Sequence, residues 1–364
     1  MTVVGLAVGR GTGAEVAGVF ERVLGQLAGA FGVPVRVERA ERVYHSYVSL
    51  RGEAPERIAA LTAQDAAHYE GFCRGLAGRG VSAVFRTAIN AQSLYLVRQR
   101  LRAVKVDGLG GPPGGVAPEL LLVRDQAQGF YTGENRHGPG RVVRTMEFTE
   151  EITNEVIDCA LGRARLLWPG GGAARVVMAY KFHLLDGALD DWVRGAAARH
   201  GVEIRLCQPD TVNRDLIAHG LPPRTVVVAG NEWADIMHVV LLDRFGGERQ
   251  ESRFTENVHL RPDVAGLVEF QTVHGSADDL EGRDAVNPVA AIRAAAAVAE
   301  RHVGCPGAVA AVEGALAGLA DRGVCTADVG GSASTGEVVA GVLAGLGVPG
   351  PGAGAGADAL VAGA

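Results

Sequence analysis

The sequence predicts an α/β fold, and two observations carry that expectation. Short apolar runs recur at 3–8, 81–85, 120–123, 176–180, 202–206, 226–228 and 264–270. Between them lie stretches of helical spacing or composition at 56–80, 150–163, 187–200 and 289–301. Strand-length runs alternating with helices are the signature of a sheet covered by helices. The chain has 364 residues, more than one ordinary core needs, so one large domain or two intimate ones is expected.

Composition narrows the class. An apolar fraction of 48% and a charged fraction of 21% suit a globular protein. A formal net charge of −6 leaves no footprint for nucleic acid or an anionic membrane. No apolar run reaches transmembrane length and the start, MTVVGLAVGRGTG, lacks a basic segment followed by an apolar one, which predicts a cytoplasmic protein. Five scattered cysteines without a CxxC pair are expected to be reduced and mostly buried. Among 35 basic residues only Lys105 and Lys181 are lysine. Where arginine is used so freely, a retained lysine is a candidate for proton transfer, which arginine cannot perform near neutral pH.

The run 3–8 leads into Gly9-Arg10-Gly11-Thr12-Gly13-Ala14-Glu15 and a helix with Val16, Val19, Phe20 and Leu24 on one face. GxGxxA after a strand reads either as a dinucleotide fingerprint or as a Gly-rich strand-to-helix turn. Further on, Arg98 and Arg102 lie in a helical stretch with Gln92 and Tyr95 nearby, and residues 107–118 form a Gly/Pro-rich connection. A strand then ends at Arg124, seven residues before Tyr131. Lys181 follows a strand in the context YKFHLLDG, Asp210 follows the next, and Asn231 and Asp235 follow the one after. The polar stretch HGSADDLEGRDAVNP, 274–288, has neither strand nor helix period, and an ordered loop of that length is more often functional than idle.

That stretch resembles the adenosine-binding loop of the β-decarboxylating dehydrogenases, the isocitrate, isopropylmalate and homoisocitrate dehydrogenase family, whose pattern is HGSAPDIAGK followed by ANP. The main departure is Asp278 in place of Pro. The resemblance extends to DVGGSASTGE from Asp328, to Arg124 and Tyr131 (family RENTEGxYxG), to Lys181 (K-x-N, with His183 for the Asn) and to Asn231 and Asp235 (N-x-x-GD-I-x-x-D). The first loop is GDGIGPE in the family, with Arg10 here for its Asp and Ala14 for its Pro. LRAV at Arg102 is similar to LRPV, but the segment before it is shortened. Gln126, Ala127 and Gln128 replace Asn, Thr and Glu, and Val239 stands where relatives carry a second metal-binding Asp.

The resemblance implies an isocitrate/isopropylmalate dehydrogenase-like fold of two α/β domains with a non-Rossmann cofactor site. The large domain would be discontinuous, 1–104 with 246–345, and the small domain 105–245, with a dimer-clasp arm near 135–165 and a disordered tail at 346–364. It implies an obligate homodimer whose active site borrows Lys181 and Asp210 from the partner. Lys181 would be the base and Tyr131 the proton donor. Arg98, Arg102 and Arg124 would grip a polyanionic 2-hydroxy acid, and Asp210 and Asp235 would hold Mg²⁺ or Mn²⁺ unless metal binding has been lost. His274, Gly275, Ser276, Ala277, Asp279, Leu280, Asn287, His183 and Asn231 would contact cofactor; His183 fits a relay or a packing role equally. A carboxylate at Asp279 favours NAD, since it would repel a 2′-phosphate. The expected reaction is oxidative decarboxylation of a malate-type acid, with the altered positions suggesting a specialised substrate such as a phosphonate- or amino-substituted malate. A catalytically poor partner subunit and a dehydrogenase that does not decarboxylate are the alternatives.

Overall fold

The computed structural model describes residues 1–110, 118–245 and 252–346. The chain begins β1 (Thr2–Gly9), α1 (Gly13–Ala30), β2 (Val35–Tyr44), α2 (Pro55–Gly78), β3 (Ala83–Arg86), α3 (Ala91–Leu101) and β4 (Ala103–Leu109). It continues through β5 (Leu120–Asp125), β6 (Glu134–Gly138), β7 (Arg141–Thr145), α4 (Glu150–Leu167), β8 (Arg175–Ala179), α5 (Ala188–His200), β9 (Ile204–Cys207) and α6 (Pro209–His219). Last come β10 (Thr225–Gly230), α7 (Asn231–Phe245), β11 (Phe254–His259), β12 (Val268–Thr272), α8 (Val289–Val298), α9 (Ala308–Asp321) and α10 (Thr335–Gly345).

Ten strands form one mixed sheet in the order β2-β1-β3-β12-β11-β4-β5-β10-β8-β9. Two parallel wings, β2-β1-β3-β12 and β5-β10-β8-β9, are joined by the antiparallel strands β11 and β4. Parallel strands are covered on both faces and so read as continuous apolar runs. β10 (TVVVAG) is buried along its whole length. Each wing has a core on each face. In the first wing α1, α8, α9 and α10 pack on one side, with Phe20 stacked on Phe85 at 4.2 Å, while α2 and α3 pack on the other. In the second wing α4 and α5 face one way, α6 and α7 the other. A side chain such as Leu24 or Leu122, fully withdrawn from water, contributes about 1.5–3 kcal/mol.

Three strands of the ten-stranded sheet escape the sequence pattern. β2 (VRVERAERVY) alternates charged and apolar residues at the sheet edge, and β4 and β11 carry polar side chains across the sheet centre. The stretch 56–80 is one 24-residue helix with Pro55 in its first turn. The alanine-rich helix leaves α geometry at Ala299 for a π-turn through Val303. Of the Gly/Pro-rich connection, 107–109 are strand and 111–117 lie outside the described residues, as does the tail beyond 346. Strands β6 and β7 form a separate exposed hairpin within the expected arm. All five cysteines are free, but only Cys73 and Cys305 are buried. No helix among the described residues is long and apolar enough to cross a membrane.

Candidate active site

Where the wings meet, strand register places polar residues side by side. Lys105 on β4 lies opposite Arg124 on β5 and Asn257 on β11, and Asn257 lies opposite Glu269 on β12. Register partners share a face. The row Glu269–Asn257–Lys105–Arg124 therefore crosses the sheet on one side, and every member is buried. It lies on the side that carries α3 and α7, because Val84, paired with Glu269, packs in the α2–α3 core, while Leu120 and Leu122, two and four residues from Arg124, pack under α7. The face of the sheet turned toward α3 and α7 thus presents a polar floor.

On the α3 side, Glu269 accepts from Arg86 Nε (2.7 Å), Tyr69 Oη (2.7 Å) and Asn257 Nδ2 (2.8 Å). Burial alone would raise this carboxyl, but Arg86 and Arg98 hold it at about 2. Arg98 donates to Gln271 Oε1 at 3.3 Å, has no acidic ion-pair partner among the described residues, and leaves Nε unbonded. Burial, reinforced by Arg86, pulls its guanidinium down to about 10. A cation held in that way invites an anion.

On the opposite side the first turns of α7 gather the other groups. Arg124 Nε donates to Asn231 Oδ1 (2.9 Å), and its Nη1 bonds Asp235 Oδ1. Tyr131 Oη donates to Asp235 Oδ2 at 3.3 Å, its ring lies 4.9 Å from that of Tyr95, and Arg124 sits over it at 5.6 Å. Burial first, then the charge of Asp235, raises the Tyr131 phenol, which therefore keeps its proton at neutral pH. Glu232 accepts from the Phe130 amide, so α7 also holds the loop that carries Tyr131. Lys181 Nζ bonds Gln208 Oε1 (2.8 Å) and Asp210 Oδ1 (2.7 Å), and lies 5.7 Å from the Trp233 ring. Asn231, Trp233 and Asp235 thus link two clusters, Arg124/Tyr131 and Lys181/Asp210.

Deeper on the floor, Lys105 Nζ is 3.2 Å from Asp107, and His238 Nε2, one turn beyond Asp235, lies 3.4 Å from the same carboxylate without bonding it. Burial pulls Lys105 below the ordinary lysine range against the pull of Asp107. Burial opposes ionisation of Asp107, yet Lys105 and His238 hold its carboxyl low. Burial takes the His238 imidazole down to about 4, so it is neutral near pH 7. Sequence reasoning missed Asp107, His238 and Asn257. The scarcity of lysine was the one available signal, pointing to Lys105.

Arg102 does not join these groups. It sits at the left-handed C-cap of α3 (φ 50°) and pairs with Glu151 and Glu155 of α4 at 2.8 Å, on the other side of the sheet. Gln128 is turned inward, donating to Asp125 (2.8 Å) and accepting from the Thr149 amide. The altered stretch 126–128 thus braces its own wing. Asp125, also bonded by Tyr180 Oη, is raised by burial to about 6. His183 lies exposed on the turn after Lys181.

The 274–288 loop is clamped by the first loop. The Ser276 carbonyl accepts from Thr12 N (3.0 Å) and Thr12 Oγ1 (2.9 Å), and a Cβ at Gly11 (φ 71°) would lie 2.5 Å from that carbonyl. The protein thus covers the start of α1, as the strand-to-helix-turn reading requires. Asp278 is bonded by Ser46 Oγ (2.7 Å) and Ser276 Oγ, with Ala277 at φ 42° between them. Asp279 is exposed and Leu280 half-buried in the following turn, while His274 Nδ1 lies 2.9 Å from the Gly275 carbonyl. Asn287 is committed inward: Nδ2 bonds Asp328 (2.8 Å) and Ser252, and Oδ1 caps α8 at Val289 N. Asp284 and the Ser334/Glu337 capping box finish the start of α10.

Comparison with solved structures bears on the fold. Crystal structures of a β-decarboxylating dehydrogenase from Thermococcus kodakarensis (TM-score 0.64, 22% identity, 95% of this chain and 96% of that one) and of isocitrate dehydrogenase from Methylococcus capsulatus (TM-score 0.66, 18% identity, 95% and 99%) share this architecture. Residues 255–342 match the isocitrate/isopropylmalate dehydrogenase family. A probable tartrate dehydrogenase/decarboxylase of Agrobacterium vitis is 29% identical over 244 residues, 62% of each chain. The 3-isopropylmalate dehydrogenase AMT6 of Alternaria alternata is 26% identical over 250 residues, 63% of each. The chain thus spans less than two thirds of the length of these curated relatives. Its residues 255–342 thus match that family's model, and the chain shares the fold of the solved structures.

Proposed function

We propose that the chain is an NAD-dependent oxidoreductase that oxidatively decarboxylates a malate-type 2-hydroxy acid, assisted by Mg²⁺ or Mn²⁺ and acting as a homodimer. The observation that carries this reading is the convergence of Arg124, Tyr131 and Asp235 at the start of α7. In this reading Arg98 and Arg124 bind the acid's carboxylates. Lys181 would take the hydroxyl proton, and bound NAD would supply the acceptor for the hydride from C2. Tyr131, protonated at working pH, returns a proton to the enolate left when CO₂ departs.

Asp210 and Asp235 are the carboxylates that would hold the divalent ion. Both are exposed oxygen donors, which suits a hard cation that keeps water and substrate as its other ligands. In one chain each is paired with a cation, and no cluster of three acidic, His or Cys groups forms among the described residues. A shared site, with Lys181 and Asp210 reaching the partner's Arg124, Tyr131 and Asp235, would bring these two carboxylates to one ion, with substrate oxygens and water as its other ligands. Bound there, the ion would polarise the hydroxyl and hold the enolate charge. Exposed Asp279 suits ribose hydroxyls and disfavours a 2′-phosphate, which supports NAD. The hairpin β6–β7, isolated from the main sheet, suits a clasp. We propose the domain division 1–104 with 246–345, and 105–245, because the cores separate into the two wings.

The test follows NADH absorbance and CO₂ release with Mn²⁺ over malate, tartrate, isopropylmalate, isocitrate and phosphonate- or amino-substituted malates. NADH formed with matching CO₂ on one of them is expected. Bound NAD with no turnover on any would favour a partner-subunit role.

A further inference from the structure

We infer that Ser46, on the loop after β2, is a positioning residue for the cofactor: through Asp278 it fixes the turn that presents Asp279 to the adenosine ribose. This rests on the proposed dinucleotide reading and adds to it a residue from outside the 274–288 stretch.

Asp279 is exposed and stands between two tied points of its loop. Before it, the Asp278 carboxylate accepts from Ser46 Oγ (2.7 Å) and from Ser276 Oγ. After it, the Gly282 amide donates to Glu15 of α1. The turn itself is closed by the Leu280 amide on the Ala277 carbonyl (2.9 Å). The neighbours of Asp279 are thus held while its own side chain faces solvent.

Ser46 is 1% exposed, and its hydroxyl proton has one use. Oγ accepts from the Ser49 amide (2.9 Å), and Ser49 Oγ donates to the Ser46 carbonyl (3.0 Å). The Ser46 O–H is left to donate, and Asp278 Oδ1 is its acceptor. The loop beneath is rooted in buried Asp65 of α2, whose Oδ2 accepts from the His45 amide (2.8 Å) and lies 2.9 Å from His45 Nδ1. The His45 carbonyl accepts from the amide of Asn90, at the start of α3 (2.8 Å). A hydroxyl so placed is a fixed donor, and its bond to a carboxylate is of the stronger, charge-assisted kind.

The turn needs such a hold. Ala277 sits at φ 42°, in the left-handed region that alanine rarely adopts and that persists only where the surroundings impose it. Thr12 seats the Ser276 carbonyl on one side of it, and Ser46 seats Asp278 on the other. Without Ser46, the Asp278 side chain keeps only the bond from Ser276, its own loop neighbour, and Ala277 can relax.

The experiment measures NADH binding by calorimetry on the full chain and, with the acid turned over fastest, kcat and KM for NAD. The proteins are wild type, Ser46→Ala, Asp278→Ala, their double variant and Asp278→Asn. Each alanine variant should weaken NADH binding about tenfold, as the loss of one charge-assisted bond implies, and raise KM for NAD with kcat nearly unchanged. The double variant should bind no more weakly than Asp278→Ala alone, because Ser46 acts through that carboxylate. Asp278→Asn keeps an acceptor for Ser46 and should stay within about threefold of wild type. If Ser46→Ala fails to fold, the two Asp278 variants carry the test. Losses that multiply in the double variant, Asp278→Asn as weak as Asp278→Ala, or unchanged binding in folded Ser46→Ala overturn the inference and leave the dinucleotide reading standing. Wild type that binds neither NAD nor NADP removes both.

Discussion

The 274–288 loop and the α7 cleft are built in opposite ways. The loop is shaped by short-range main-chain geometry: Ala277 in the left-handed region, the Ser276 carbonyl seated on Thr12 and Gly11, and Asp278 tied to Ser46 and Ser276. The cleft is shaped by register. Glu269, Asn257, Lys105 and Arg124 meet only because four strands from distant parts of the chain pair in one alignment. Local geometry tolerates a changed side chain if the backbone keeps its path. A buried charged row does not, because each group relies on its neighbour. Damage should therefore be graded in the loop and abrupt in the cleft.

The largest effect expected is on chemistry. Lys181→Met should lower kcat by about 10²–10⁴-fold while NAD still binds, as the loss of one positioned proton carrier implies; stopped-flow NADH formation and a separate NAD titration read the two halves. Next is the buried row. Glu269→Gln leaves Arg86 buried without its counter-charge, a change of about 3–5 kcal/mol in stability, measured by urea unfolding. Smaller is the loop. Asp279→Ala should weaken NAD by about tenfold or less and narrow the preference over NADP, seen as paired KM values.

The smallest effect is a slope. His238 is neutral in the folded protein down to about pH 4, against 6.5 unfolded, so the unfolded chain binds the extra proton across that window. Stability therefore falls as pH drops from 6.5 to 4. His238→Asn should flatten that slope relative to wild type in thermal melts, leaving stability above pH 7 little changed.

The contrast between loop and cleft also explains what could be read in the sequence. Residues 274–288 carry their geometry in consecutive positions, Arg124 lies near the end of β5, and Tyr131, Lys181 and Asp235 come after strand ends, so their places in the fold were legible along the chain. The floor was not. β4 and β11 alternate polar and apolar residues in the centre of the sheet, where a buried run is expected, and nothing local announces that Lys105 faces Asn257. Arg102 shows the converse: its neighbours match, but a left-handed cap turns it toward Glu151 and Glu155 on α4. Asn287 fits the loop pattern, yet its amide is consumed in joining Asp328 to α8.

Inter-subunit complementation tests the central claim most directly. Lys181→Met and Tyr131→Phe subunits, each nearly inactive alone, are unfolded together, refolded and assayed. If one subunit's Lys181 serves the partner's Tyr131, mixed dimers contain one intact site and activity returns well above either parent. A mixture as inactive as its parents, with mixed dimers shown to form by mass spectrometry, would contradict the shared site.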